Sequence, residues 1–267
     1  MSLLKHPGVL GNAVNFPDWL QARDGKSDRA TPIPDVLNVG HLNVVFQPVL
    51  DLRSRRVFAY ECLVRSNSPH FQGPPSLFLA AIGGKVCGAL GRIIREMAAA
   101  CCPGWPLFVN IHPNEFDEGW LVMPDDPIFL HESGVYLEIT ESVPLSHFRL
   151  VQSVLREIRG RGVFLAVDDL GAGYSNLKYI ADLAPEIVKL DRELVAGLHN
   201  EKRLQKLVRA IVRLCEDLDA KVVAEGIEEV EELRAVEDAG VHYGQGYLIA
   251  RPAFPLPPIE RSKLGGS

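Results

Sequence analysis

The sequence has few cysteines, no excess of positive charge and no long apolar run, and each shortage removes a class of function. Five cysteines, Cys62, Cys87, Cys101, Cys102 and Cys215, form an odd set with no CxxC pair. That argues against a disulfide-stapled scaffold or a thiolate zinc site and fits reduced thiols in the cytosol. Eight histidines lack HxH or HExxH spacing, so an imidazole-based metal site is not expected either. Lys and Arg number 28 against 34 Asp and Glu, for a net charge of −6, and no basic stripe is interleaved with the sparse aromatics. Such a chain does not grip polymeric nucleic acid through its phosphates. No stretch is long and apolar enough to cross a bilayer, and no apolar run precedes Gly11. The expectation is a soluble, cytoplasmic protein with no membrane partner.

What is present suffices for a large core: 47% of the 267 residues are hydrophobic and 23% charged. Residues 1–40, rich in Pro, Gly and polar residues near their start, read as a lead-in or linker segment, and residues 41–267 as one barrel-sized domain. From about residue 41, short β-branched runs alternate with stretches of helical period. The runs are 44–50, 57–63, 107–111, 135–140, 163–167, 187–190, 221–224 and 243–249. Leu204, Leu207, Val208, Ile211, Leu214, Cys215 and Leu218 recur at the spacing of one helix face, as do Phe148, Val151, Leu155 and Ile158. Eight strands with intervening helices predict a TIM-like (β/α)8 barrel. The link between the first two runs is too short for a parallel crossover, so the barrel is expected to be a variant with one antiparallel strand.

Polar residues collect at the ends of these runs: Glu61 and Arg65, Asn110, Glu138 and Glu141, Asp168 and Asp169, Lys189 and Asp191, Glu225 and Glu228, and Gln245. Taken singly, an acid after a strand is usually a helix cap. Taken together, at least four carboxylates at one barrel mouth would repel one another unless cations sat among them. Oxygen donors with an Asn carbonyl suit Mg²⁺ or Mn²⁺, and paired ions of that kind serve in-line attack on a phosphodiester.

The residues also resemble a known family. Phe46-Gln47-Pro48 and Glu61-Cys62-Leu63-Val64-Arg65 are similar to the FQP and EALxR elements of EAL domains. Val109-Asn110, the segment from Leu137 to Ser142, Asp168-Asp169-Leu170-Gly171-Ala172-Gly173-Tyr174-Ser175, Lys189-Leu190-Asp191, Ala224-Glu225-Gly226-Ile227-Glu228 and Gln245-Gly246-Tyr247 follow in the family's order. The resemblance spans about residues 41–252. It implies a phosphodiesterase that opens cyclic di-GMP to linear pGpG with two Mg²⁺ or Mn²⁺ ions per site, Ca²⁺ being inhibitory. By the same resemblance Glu61, Asn110, Glu138 and Asp168 ligate the first metal, Asp168 and Asp169 the second, and Glu225 completes the cage. Lys189 holds the attacking water. Gln47, Leu63, Arg65, Glu228 and Gln245 contact the substrate, Glu141 anchors a loop, and the chain forms a homodimer near the segment after Asp169.

Cys62, Leu170 and Ala172 stand where the family commonly has Ala, Phe and Thr, and Ser66 where many members have Trp. None removes a ligand. Cys62 alternates against Glu61 and should face the helices rather than the mouth. A binding-only cyclic di-GMP receptor is the alternative reading, and a Schiff-base aldolase using Lys189 is a third; the surrounding carboxylates would raise that amine's pKa and oppose it.

Overall fold

Strands β1 (Leu42–Asp51) and β2 (Arg56–Ser66) form a hairpin because the four residues between them make a tight turn. Asp51 accepts a hydrogen bond from the Ser54 amide at 2.6 Å, and Arg55 takes a left-handed φ of 56°. The structure is a computed structural model that describes residues 36–140, 148–172 and 177–265. Most of the expected lead-in, along with Glu141 and the 173–176 part of the loop after Asp169, lies outside the described residues.

The chain continues through α1 (Pro74–Gly84), α2 (Cys87–Cys101), β3 (Leu107–Asn110), α3 (Glu115–Glu118) and β4 (Val135–Thr140). Then follow α4 (Phe148–Arg159), β5 (Phe164–Leu170), α5 (Leu177–Leu183), β6 (Ile187–Leu190), α6 (Arg192–Val195), α7 (Lys202–Asp217), β7 (Lys221–Ala224), α8 (Val230–Asp238) and β8 (Tyr243–Gly244). The eight strands close a barrel in sequence order. β1 pairs antiparallel with both β2 and β8, while all other neighbours are parallel. The reversed strand is therefore β1, as the short first connection requires.

A layer of apolar side chains fills the barrel, one from each strand: Val49, Ala59, Phe108, Tyr136, Ala166, Ile187, Val223 and Tyr243. Side chains alternate across a strand, so the next inward-facing residue lies two positions further toward the mouth. Those positions hold Gln47 on the reversed β1, then Glu61, Asn110, Glu138, Asp168, Lys189, Glu225 and Gln245. One periodicity thus sets a complete polar layer on an apolar floor. The floor is reinforced at β2, where the register slips between Val49 and Leu50 and leaves Phe58 as the extra residue, its ring stacked on Tyr243 at 4.1 Å.

The second core lies between the sheet and the outer helices. In α7 Val208, Ile211, Val212 and Cys215 are buried. Leu207 does not join them, being 49% exposed; at its heptad-like spacing it falls on the edge of the face, and Val212 takes the inner place. The eighth run is also shorter than expected over 243–249: the strand spans Tyr243–Gly244, and Gln245 keeps backbone bonds to Ala224 and Ile227. Gly246 then presses against the Ile227 backbone so closely that a Cβ would stand 2.1 Å from the Ile227 carbonyl oxygen. Among the described residues no helix is long and apolar enough to cross a membrane.

Candidate active site

Lys189 stands at the centre of the polar layer with no exposed surface. Its Nζ lies 2.6 Å from both Glu138 Oε1 and Glu225 Oε1, 3.4 Å from Asp168 Oδ1 and 3.8 Å from Glu61 Oε1. Beneath it the Phe108 ring presents its face at 5.9 Å. Burial alone would lower the amine's pKa, but the four carboxylates outweigh it and hold the ammonium well above its ordinary range. That is the wrong protonation state for a Schiff base, and it removes the aldolase reading.

The acids respond in the opposite sense. Burial pushes Glu138 well above the usual carboxylate range, and the nearby Glu61 and Asp168 add to this while Lys189 opposes it. Asp168 is raised for the same reasons. Glu225, whose side chain is still 19% exposed, is pushed up to about 8 by burial, against the pull of Lys189. Both Glu138 oxygens are buried; Lys189 pairs with Oε1, and among the described residues no donor reaches Oε2. Such groups are costly unless something positive reaches them.

Two amides frame Glu61. Asn110 Nδ2 donates to its Oε1 at 3.2 Å, and Gln245 Nε2 donates to its Oε2 at 2.5 Å and to Gln47 Oε1 at 3.0 Å. Gln47 donates in turn to the Ala250 carbonyl at 3.0 Å. In this arrangement the Asn110 nitrogen faces Glu61, so ligation through Oδ1 requires the amide plane to turn.

Consecutive strand residues point to opposite faces, yet Asp168 and Asp169 both serve this end of the barrel. The cause is an irregularity between Val167 and Leu170, where Asp169 adopts a left-handed φ of 60°. Its amide donates to Asp168 Oδ1 at 2.9 Å. Carboxylate oxygens of Asp168, Asp169 and Glu225 consequently lie within 4.8 Å of one another, a spacing open to one shared cation.

Leu63 and Arg65 continue the inward face of β2 above Glu61, and the Arg65 guanidinium donates to the Val64 carbonyl at 2.9 Å. Glu228 is not part of the cluster: it lies exposed at the rim, 3.0 Å from Arg192. Asp191 has the ordinary role of an acid after a strand, since its side chain caps α6 by accepting from the Glu193 amide at 2.8 Å. Cys62 is buried on the helix side, and burial pushes its thiol well above the usual range.

Arg192 went unnoticed in the sequence. It donates to the Gly226 carbonyl as well as pairing with Glu228, and so clamps the loop that carries Glu225. Gly226 makes room for it, having a left-handed φ of 67° and a Cβ position 2.8 Å from the Arg192 Cβ. An arginine in the first turn of a helix gives no periodic signal, and only the fold brings it against the seventh strand's loop.

Comparison with known proteins places the chain in a family. The family model described as EAL domain covers residues 32–252. The chain belongs to the EAL domain family. Among relatives, a cyclic di-GMP phosphodiesterase of Pseudomonas aeruginosa is 33% identical over 80% of this chain and 38% of its own. The blue light- and temperature-regulated antirepressor BluF of Escherichia coli is 27% identical over 87% of this chain and 59% of its own. The chain spans only 27% to 38% of the length of its first five relatives. Among solved structures, a manganese and cyclic di-GMP complex of Klebsiella pneumoniae BlrP1 superposes with a TM-score of 0.70 at 30% identity, covering 81% of this chain and 57% of that one. An EAL domain protein of Listeria monocytogenes superposes at 0.69 and 27% identity, covering 82% and 91%. The barrel is thus common ground between this EAL domain and those solved structures.

Proposed function

We propose that this EAL domain hydrolyses cyclic di-GMP to linear pGpG. The observation that carries the reading is the polar layer itself, in which Glu61, Glu138, Asp168 and Glu225 surround one buried ammonium and Asp169 adds a fifth carboxylate. Five carboxylates against one ammonium leave four negative charges, the complement of two divalent cations. The donor set fits hard ions such as Mg²⁺ or Mn²⁺, since it is all oxygen and Glu138 Oε2 is buried with no donor among the described residues. Glu61, Asn110, Glu138 and Asp168 would hold one ion, and Asp168, Asp169 and Glu225 the other. When bound, such ions polarise a phosphoryl oxygen and make water nucleophilic at neutral pH.

The protein's own groups supply the rest. Lys189 stays protonated and donates toward the attacking oxygen, holding it in line with the scissile bond. Gln245 and Asn110 fix the Glu61 carboxylate. Arg65, Gln47 and Leu63 face the same end of the barrel, where a guanidinium fork can hold a substrate phosphate in ground and transition states alike. The phosphodiester bond to the 3′ oxygen breaks, water adds to phosphorus, and the 3′ oxygen leaves with a proton. Glu228 serves through Arg192 rather than by direct contact. A homodimer near the segment after Asp169 accompanies this reading by family resemblance, and the irregular cysteine set supports a cytoplasmic location.

The test is incubation of the pure chain with cyclic di-GMP and Mn²⁺, with chromatography of the products. Formation of pGpG is expected, abolished by chelator and inhibited by Ca²⁺, which takes the same oxygens at longer distances. Tight binding without cleavage would replace the enzyme by a receptor.

A further inference from the structure

At the opposite end of the barrel a groove of about 430 Å³ is lined by Arg55, Arg56, Val57, Trp105, Ile259 and Arg261. Arg56 opens β2 and Trp105 lies two residues before β3, so the groove sits at the N-terminal ends of the parallel strands, away from the carboxylates. Its far wall comes from residues beyond 252, where the family match ends.

Three guanidinia line it and no carboxylate does. Arg55 is neutralised by Glu237 at 2.5 Å. Arg56 and Arg261 are exposed, and among the described residues neither has an acidic partner. The neighbouring acid, Glu260, is taken by Lys263 at 2.8 Å. Two guanidinia lining one groove that holds no carboxylate present a positive surface to an anion. Their planar forks suit the oxygens of a phosphate.

The second half of the groove is aromatic. Trp105 is 40% exposed and packs against a neighbouring ring. Tyr60 meets it edge to face at 5.6 Å and 86°, and its own carbonyl is 2.9 Å from His131 Nε2. The Tyr60 hydroxyl also donates to the Pro257 carbonyl at 3.4 Å, tying the C-terminal segment to the same wall. A partly exposed indole beside apolar Val57 and Ile259 is a platform for a flat ring. The volume is that of a small-ligand site and too small for a folded partner.

We propose that this groove binds a purine nucleoside monophosphate, with its phosphate between Arg56 and Arg261 and its base stacked on Trp105. The site is separate from the mouth and does not depend on the reaction proposed there.

Calorimetric titration of GMP into the full chain in EDTA tests it, with inorganic phosphate and guanosine as the partial ligands. GMP binds one to one and more tightly than either fragment. The double variant Arg56→Ala/Arg261→Ala weakens it at least tenfold, while Arg65→Ala at the mouth leaves it unchanged. Trp105→Ala lowers GMP affinity to that of phosphate, and Trp105→Phe, which keeps an aromatic face, restores most of it, so that lost stacking is told apart from lost folding. Failure of GMP to bind, binding that survives the double arginine variant, or loss of binding in Arg65→Ala would each overturn the proposal. So would phosphate binding as tightly as GMP, which would mark an anion site without a base. Turnover of cyclic di-GMP by the double arginine variant should equal wild type.

Discussion

Lys189 and the acids around it compensate one another, so neither side can be removed alone. Replacing Lys189 with Ala leaves Glu138 and its neighbours buried against like charge. Breaking a buried pair in this way costs about 3–5 kcal/mol. We expect Lys189→Ala to lose stability of that order in chelator, to recover much of it in Mn²⁺, and to lose turnover by orders of magnitude while still binding cyclic di-GMP. Denaturant melts with and without Mn²⁺, read beside product assays, check this; an unchanged melt in chelator would show that Lys189 is not the counter-charge. Asp169 carries a second, separable demand, because its φ of 60° suits Asp and Asn far better than branched side chains. Asp169→Asn should therefore melt like wild type but fail to turn over. Asp169→Val should also lose about 1–3 kcal/mol of stability. Equal melting of the two variants would mean that the left-handed turn is not what the residue supplies.

Between strands, the loops rather than the ladders aim the functional groups. The loop after β7 carries Glu225 and is clamped by Arg192 from α6 through the Gly226 carbonyl and Glu228. Glu232 in α8 holds the next stretch, accepting from the Glu228 and Glu229 amides at 2.9 and 3.2 Å. Arg192→Ala should leave the barrel folded, because the residue is exposed, but loosen Glu225 and lower metal affinity and kcat about tenfold, typical of losing a group that orients a ligand. Metal titration followed by turnover at saturating metal separates this from a fault in substrate binding. Gly246 makes a complementary case for packing: Gly246→Ala forces a methyl into the Ile227 backbone, and overpacking of that kind costs about 1–3 kcal/mol or more. A thermal melt unchanged from wild type would show that the loop moves aside freely.

For the molecule as a whole, the polar layer couples stability to pH and to metal. Glu225 titrates at about 8 in the fold against an ordinary 4.5, and Glu138 and Asp168 are raised in the same direction. A group raised on folding contributes stability that is complete below its unfolded pKa and lost as pH climbs through its folded one. The metal-free protein should therefore grow less stable from pH 5 to pH 9. Cations compete with those protons, so metal affinity should rise across the same interval and flatten the stability trend. Calorimetric melts in EDTA and in Mn²⁺ at matched pH check both signs. A metal-free protein that is most stable at pH 9 would mean that these acids are ionised at no cost.

Local pattern determined a good deal of this protein. Short β-branched runs marked the eight strands, and the short 51–56 link required a reversed neighbour, which proved to be β1. The polar residues at the ends of those runs, Glu61, Asn110, Asp168, Lys189 and Glu225 among them, were expected at one mouth, and in the fold they lie two positions beyond the apolar floor. These are consequences of backbone geometry, which acts between adjacent residues and can be read along the chain. The tertiary structure alone decided what depends on groups distant in sequence: that Lys189 lies within 2.6 Å of Glu138 and Glu225, that Arg192 reaches Gly226, and that Glu228 stays at the rim. It also ended the eighth strand at Gly244, short of the expected 249. Through-space charge and steric exclusion leave no periodic mark in a sequence, and they become definite only when the barrel closes.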